Sequence, residues 1–466
     1  MARPVEITRQ SLLPALITRG PVSAAELGRV LGVNRASVVR AMRRFEEGEL
    51  LTLGTHRSTR YMLRRPVQNA GNRWPLYLID EAGTARQWGM LESLYERRWR
   101  VTWESGRPAW ADHFCDREGL WQGFPFFLAD IRPDGFMGRA IARRLSGILR
   151  VPDDPRKWDD DHTLVFLQAA GEDMPGSLVL GDKSLERALE QAVYPAAERM
   201  TDSADREIRY PVLAQREAET LPGSSAGGEN PKFLTNIRTE TGAIQPVLVK
   251  FSPPLDQPGG RRWADLLLCE YHALEVLARE GLAVKGAQVL DAGGRRFLEV
   301  ARFDRTGAAG RRRVVSLDAL HPEAIGANSR TAWPVSVAEL HRAGLIESAV
   351  ASTVHRLHAF GELIGNTDMH AGNLAFWLDD ALPFRLAPAY DMVPMLWAPA
   401  VQGEIVPRNF APAPPLPAGR EAWLEALGWA ETFWERLAGA ARLSGDFVQP
   451  VEAARTALRR LRDYAG

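Results

Sequence analysis

One predicted strand of this chain carries a charge where an apolar side chain would be expected. Val247-Leu248-Val249-Lys250-Phe251 is apolar on both sides of Lys250, and lysine is scarce here, with 5 among 58 basic residues. Downstream, periodicity predicts a helix over 263–281 whose apolar stripe, Leu266, Ala273 and Leu277, also contains Glu270. A charge on a buried face is costly unless it is paired. The strand and the helix must therefore pack face to face, with Lys250 against Glu270. Kinases use such a pair to aim a lysine at nucleotide phosphates. A purely structural helix-to-strand bridge would leave the same pattern.

A second stretch gives the kinase reading its chemistry. Ile346, Val350, Val354, Leu357, Phe360 and Ile364 recur at helical spacing, and Gly365 ends that helix. The loop Gly365–Asn373 follows. Next come an apolar run over 374–378, a turn at Asp379-Asp380 and a second short extended run before Tyr390-Asp391. A loop Asp, an Asn five positions later and an Asp beyond a hairpin form the set used for phosphoryl transfer. Asp368 takes the proton of the attacking hydroxyl, and the oxygen donors Asn373 and Asp391 hold Mg²⁺ against the phosphates of ATP. Taken singly, each piece is also what an ordinary turn looks like.

Elsewhere the signals are structural, or weaker. Leu221–Phe233 contains three Gly and two Ser, whose bare N–H groups can wrap phosphates; a flexible linker has the same composition. The strand at 296–300 runs into Ala301-Arg302-Phe303-Asp304-Arg305, the segment that joins the lobes in a kinase layout. Arg311-Arg312-Arg313 reads as a solvated turn. Residues 74–200 are rich in Trp and carry no chemical motif, and 68–73 reads as a linker. Helices are predicted at 136–149, 420–428, 430–442 and 447–463.

The N-terminus forms its own unit. Ser23 caps a helix with Glu26 three positions on, a capping box. Asn34 caps a second helix from Arg35 to about Glu47, with Val38, Val39, Met42 and Phe45 inward. A hairpin over 50–63 completes a winged helix–turn–helix. Residues 1–65 hold 12 Arg against 5 Glu, a net of +7 in a chain of net zero. That charge favours duplex DNA over a protein partner, with Arg35, Ser37, Arg40 and Arg44 on the reading helix. No apolar run approaches membrane-spanning length, no signal segment opens the chain, and Cys115 and Cys269 form no metal or disulfide pattern. A cytoplasmic protein is the expectation.

Jointly, Ser224–Phe233, Val249-Lys250-Phe251, Arg302–Arg305, Gly365–Asn373 and Tyr390-Asp391 resemble the HipA family of serine/threonine kinase toxins from type II toxin–antitoxin modules. With its winged helix, the whole chain is similar to the YjjJ-like branch. The resemblance implies an α+β fold: a two-lobed, protein-kinase-like HipA body behind an N-terminal winged helix–turn–helix. The implied divisions are 1–66, an accessory region 74–200, an ATP-binding lobe 201–303 and a helical lobe 304–466. It makes Asp368 the general base, places His370 in the catalytic loop, and assigns the metal to Asn373 and Asp391. ATP would contact Ser225, Ala226, Gly227, Gly228, Lys232, Lys250, Glu270 and Tyr390, with Ala301, Arg302, Phe303 and Asp304 around the adenine hinge. It also implies autophosphorylation in the Gly-rich loop, at Ser224 by position, with Ser225 adjacent. A protein substrate, translation components among the family's targets, and an antitoxin are implied partners. Better-known members use a separate helix–turn–helix antitoxin, whereas this chain carries such a module itself. Two other readings compete: a DNA-binding regulator whose kinase-like body senses ATP or a partner, and a small-molecule phosphotransferase.

Overall fold

The computed structural model describes residues 7–220, 231–326, 331–400 and 403–465. At the N-terminus the capping box of Ser23 and Glu26 starts the helix Ala24–Leu31, which Gly32 ends in the left-handed conformation. The Asn34 side chain caps Arg35–Met42 by accepting from Ser37 N. That helix is one turn shorter than predicted, because the backbone turns at Arg43 and Arg44. Val38 and Met42 are buried as expected, with Ala41, while Val39 and Phe45 are half-buried. Strands Val22–Ser23, Leu50–Leu53 and Arg60–Leu63 make the three-stranded sheet of a winged helix.

This module is not tethered by a free linker. Val67 is fully buried, its N–H donates to Gly71 O, and Trp74 Nε1 donates to Ala70 O, so 68–73 is a packed turn. One face of the winged-helix sheet, Leu51, Leu53 and Met62, packs on Leu94 and Leu120 of the region that follows. Around this seam Glu92, only 2% exposed, receives Arg64, Arg73 and Arg100 at 2.8, 3.1 and 2.9 Å.

The Trp-rich region is an antiparallel five-stranded sheet. Its order is Leu120–Trp121, Trp99–Trp103, Ala85–Ser93, Arg73–Ile79 and Leu178–Leu180. Trp74, Trp88, Trp99, Trp110 and Trp121 are buried together, edge-on or tilted against one another and against Phe124, Phe126 and Phe127. Their cluster is continuous with the helical C-terminal core. Trp110 Nε1 donates to Asp379 O at 3.0 Å, and Ala109 N to Asp380 O at 2.8 Å.

A second five-stranded sheet forms the next lobe, in the order Gln288–Ala292, Arg295–Ala301, Ile244–Phe251, Lys232–Arg238 and Met200–Asp202. Only the last pair is parallel. A division after residue 200 therefore cuts a strand. The helix Arg206–Thr220 covers one face through Tyr210 and Ala214, and Pro258–Arg279, starting five residues before the prediction, lies on the sheet's other side. In the C-terminal lobe, helices Trp333–Arg342, Ser348–Ile364, Arg420–Ala438 and Gly445–Ala465 pack around a small sheet of Val314–Ser316, Ala375–Trp377 and Arg385–Leu386. The break predicted near residue 429 is absent: Gly428 is carried inside one helix, where Trp423, Ala426, Leu427, Ala430 and Phe433 bury a continuous face. Gly in a helix costs about 1 kcal/mol, less than that apolar face returns. The chain is thus α+β and two-lobed behind a winged helix.

Removing Glu92 would leave three arginines around a desolvated seam. Glu92→Ala should destabilise the chain by about 3 kcal/mol, read as a lower urea midpoint in tryptophan fluorescence; an unchanged midpoint would show that the seam does not depend on this carboxylate.

Candidate active site between the lobes

The strand register brings Lys250 opposite Lys232 on one side and Leu298 on the other. Its stem lies in the core, 4% exposed, and Nζ meets Glu270 Oε1 at 2.6 Å, as the sequence requires. Glu270 is 1% exposed, and its second oxygen has no hydrogen-bond partner among the described residues. The sequence alone does not reveal a third member. Nζ also donates to Asp391 Oδ1, so the ammonium joins the two lobes.

Asp391 itself sits at φ 55°, a left-handed value that is unusual for a residue other than glycine. Its carbonyl accepts from Asn366 Nδ2 at 3.3 Å, while Asn366 Oδ1 accepts from Asp368 N at 3.0 Å. Asn366 is buried and clasps the loop to the Asp391 strand-end. Sequence reasoning gave it no role, and its only signal was its place at the helix C-terminus, directly after Gly365. The helix favours glycine at its end, where Gly365 takes φ 78°, and Met369 packs against Gly361 one turn earlier.

The rest of the loop is held by its own polar groups. Asn373 Nδ2 donates to Asp368 O at 3.0 Å, and Tyr390 OH to Gly372 O at 2.7 Å. His370 Nδ1 accepts from Gly372 N, capping the short turn Ala371–Asn373, and its carbonyl accepts from Trp333 Nε1 at 2.9 Å. His370 thus shapes the loop, while Asp368 is exposed at its rim. Trp333, another residue the sequence reading passed over, supports that turn from the neighbouring helix.

Charge in the cleft follows from burial and from Lys250. Burial pushes the Asp391 carboxyl up, but the Lys250 ammonium and Lys232 outweigh it and hold it at about 2. Burial lowers Lys250, yet the carboxylates of Asp391 and Glu270 leave it raised above the ordinary lysine value. Glu270 is raised because its burial exceeds the pull of Lys250.

Of the expected hinge, Phe303 lies against Trp377 and Tyr390, with ring centroids 5.8 and 5.7 Å apart. Arg302 and Asp304 face away from the cleft. Arg302 pairs with Asp304 and Asp173 at 2.9 and 3.1 Å, and Asp304 also accepts from Arg305 and from Gly176 N. Their side chains are engaged in a buried ion network, which leaves Ala301 and the backbone as hinge groups. Ser224, Ser225, Ala226, Gly227 and Gly228 lie outside the described residues. Arg35, Arg40 and Arg44 are exposed on the helix Arg35–Met42 and the turn after it, with Ser37 half-buried beside them.

The donor set fits a magnesium–nucleotide. With Nδ2 of Asn373 bound to the loop, its Oδ1 remains an acceptor, and Asp391, 31% exposed, adds a carboxylate on the same side as Lys250. Among the described residues no group of three or more His, Cys, Asp and Glu gathers elsewhere as a metal site, and no helix is long and apolar enough to cross a membrane.

The sequence matches two family descriptions: YjjJ-like toxin, middle domain, over residues 70–189, and HipA-like C-terminal domain over 224–455. Toxin YjjJ of Escherichia coli (strain K12) is 34% identical over 443 residues, covering 94% of this chain and 95% of that protein. Among solved structures, Shewanella oneidensis HipA, in a complex with HipB and operator DNA, aligns with TM-score 0.44 and 15% identity over 84% of this chain and 97% of that one. The Helicobacter pylori proinflammatory kinase CtkA aligns with TM-score 0.33 and 14% identity, over 48% and 88%. At those scores the two structural likenesses add no weight.

The Lys250–Asp391 contact sets an acid dependence. The folded Asp391 carboxyl is held at about 2, below the ordinary value of about 3.9. Its contribution to stability is therefore present above about pH 4 and is lost as pH falls from there through about 2. Lys250, raised, contributes fully below about pH 10.4 and loses that contribution only in stronger base. In Asp391→Asn the decline of melting temperature between pH 4 and 2 should be shallower than in the parent; parallel profiles would show that the contact does not form.

Proposed function

The chain belongs to the YjjJ-like toxin family, and we propose that it is an ATP- and Mg²⁺-dependent protein serine/threonine kinase that carries its own DNA-binding module. The observation that carries this reading is Lys250, buried between Glu270 of one lobe and Asp391 of the other. A structural bridge needs two members; this one has a third, Asp391, on the loop where a kinase keeps its metal-binding carboxylate.

In this proposal Lys250, with Lys232 opposite it, neutralises nucleotide phosphates, and Glu270 fixes its direction. Phe303 and Tyr390 bound the adenine side of the cleft, and Ala301 meets the base edge through its backbone. Asn373 and Asp391 hold the ion, and the magnesium–nucleotide supplies the transferable phosphoryl group and neutralises its charge. Asp368, at the exposed rim, accepts the proton of a substrate serine or threonine hydroxyl. A protein substrate reaches Asp368 from solvent, whereas a small-molecule reaction needs an enclosed second pocket beside it. The Escherichia coli relative is a toxin, so a neutralising protein partner belongs to the proposal, as does action in the cytoplasm where ATP and translation components are found.

Incubation with labelled ATP and Mg²⁺ tests the kinase. Asp368→Ala should lower phosphate transfer about 100-fold or more, and Asp391→Asn should abolish its metal dependence. Mass spectrometry of the same incubation should place phosphate on Ser224, or on Ser225 beside it, where its added charge would oppose nucleotide phosphates. Parent-rate transfer by Asp391→Asn would overturn the metal assignment. Phosphate on neither serine, or equal modification in Asp368→Ala, would overturn autophosphorylation at this loop.

DNA binding is tested with the full chain, since the isolated module would expose Leu51, Leu53 and Met62. Gel shifts should show duplex binding that weakens steeply with salt. Arg35→Ala with Arg40→Ala should weaken binding about tenfold or more and reduce the salt slope by about one for each phosphate no longer neutralised. Absence of duplex binding at low salt would favour a protein-interaction role for the module.

A further inference from the structure

The run Arg311-Arg312-Arg313, read from the sequence as a solvated turn, is packed inward. Arg312 lies over the Trp377 ring at 3.6 Å, and Arg313 pairs with Asp380 at 2.7 Å. Arg311 is 8% exposed, and its Nη1 is shut off from solvent with no hydrogen-bond partner among the described residues. Burial, with Arg305 and Arg302 pushing the same way, lowers this guanidinium to about 9, so it still carries its charge at neutral pH.

Arg311 lines an open cleft on the far side of the hinge from the candidate active site. Its wall comes from Gln191 on the helix Asp182–Val193, Thr235 and Asn236 on the strand Lys232–Arg238, and Ala309. Arg199, Arg302 and Arg305 line it too, while Lys250, Glu270 and Asp391 do not. The acids there, Asp173 and Asp304, are shared among Arg199, Arg302 and Arg305. Four guanidiniums thus face two carboxylates.

The excess charge is built in. Arg305 and Arg311 pair across a short hairpin, and Arg311 N donates to Asp80 O at 2.8 Å. A Cβ on Gly310 would lie 2.1 Å from Glu81 O, so this backbone sits directly on the turn of the Trp-rich region. Arg311 cannot swing to solvent without undoing that packing. A buried guanidinium nitrogen without a partner is costly even with Asp173 and Asp304 nearby, and an oxyanion that the planar fork can grip would fill that place.

We propose that this cleft is a second anion site, taking a small molecule that bears a pyrophosphate or a larger phosphate chain. Such a ligand would lie between Arg311 and Arg302 on the hinge side and Arg199 on the other, so its occupancy would tie the Trp-rich region to the hinge. The site is independent of whether the active-site reading is correct.

Calorimetry on the full chain, in EDTA and low salt, tests it with inorganic pyrophosphate as the probe. The parent should bind it, and both Arg311→Gln and the better-exposed Arg199→Gln should lower the affinity at least tenfold. Pyrophosphate should raise the parent's melting temperature, and ligand-free Arg311→Gln should melt no lower than the parent, since it loses a buried charge. ADP without metal forms a second arm. If its Arg311-dependent affinity exceeds that of pyrophosphate, the ligand is a nucleoside diphosphate; if the two are equal, it is a free phosphate chain. Should Arg311→Gln fail to fold, Arg199→Gln decides. No binding by the parent, or unchanged affinity in the variants that fold, would overturn the proposal.

Discussion

A single ammonium, with its stem in the core of one lobe and its charge at the edge of the other, organises this molecule. Lys250 is tolerated there only because Glu270 lies beneath it and Asp391 reaches it from across the cleft. Each partner then imposes a demand on the fold. Glu270 requires the helix Pro258–Arg279 to lie flat on the sheet with no rotational freedom. Asp391 requires a left-handed backbone at a residue other than glycine, and the clasp of Asn366 holds it there. The Asp391 contact is also the weaker of the two to disrupt, because it is partly open to water while Glu270 is not. The lysine can therefore release Asp391 and keep its direction on Glu270.

The Trp-rich region carries no chemical motif in its sequence, yet it packs against both the helical lobe and the hinge. Its aromatic core runs into the helical lobe, and its turn at Asp80–Glu81 seats the hairpin that follows the hinge. Asp173 and Gly176 meet the hinge through Arg302, Arg305 and Asp304. Buried ion networks of this kind contribute little net stability, and here the network ties the Trp-rich region to the hinge.

The Lys250–Glu270 pairing was legible because a charge in an apolar pattern has few places to go. The capping box of Ser23, the cap of Asn34 and the glycine stop at 365 were legible because they are local. What stayed hidden depends on distant partners. Arg311 and Arg302 look like solvent-facing charges in a sequence, and their burial is decided by Asp173 and the Asp80 turn, over 100 residues upstream. Asn366 looks like half of an ordinary turn until Asp391 is beside it. The segment 68–73 has a linker's composition, and it is ordered because Val67 and Trp74 at its ends are both in the core. The helix at 420–438 was split in the prediction because glycine was weighted locally, while the apolar face that keeps it whole is tertiary.

The winged helix and the cleft between the lobes are thus parts of one continuous body. Arg64 and Arg65 leave the module and end on Glu92 and Asp161 of the Trp-rich region. The same region, through Asp173, ends on the hinge arginines. Continuity of this kind does not by itself make two sites coupled; coupling needs an element with two arrangements that both sites bias. Of the links in this chain, the winged-helix seam is closed by apolar side chains and a nearly buried carboxylate, which favours one arrangement. The hinge seam is different: there four guanidiniums share two carboxylates beside an open cleft. If the winged helix and the cleft between the lobes influence each other, the physics places the adjustable joint at the hinge seam and not at the winged helix.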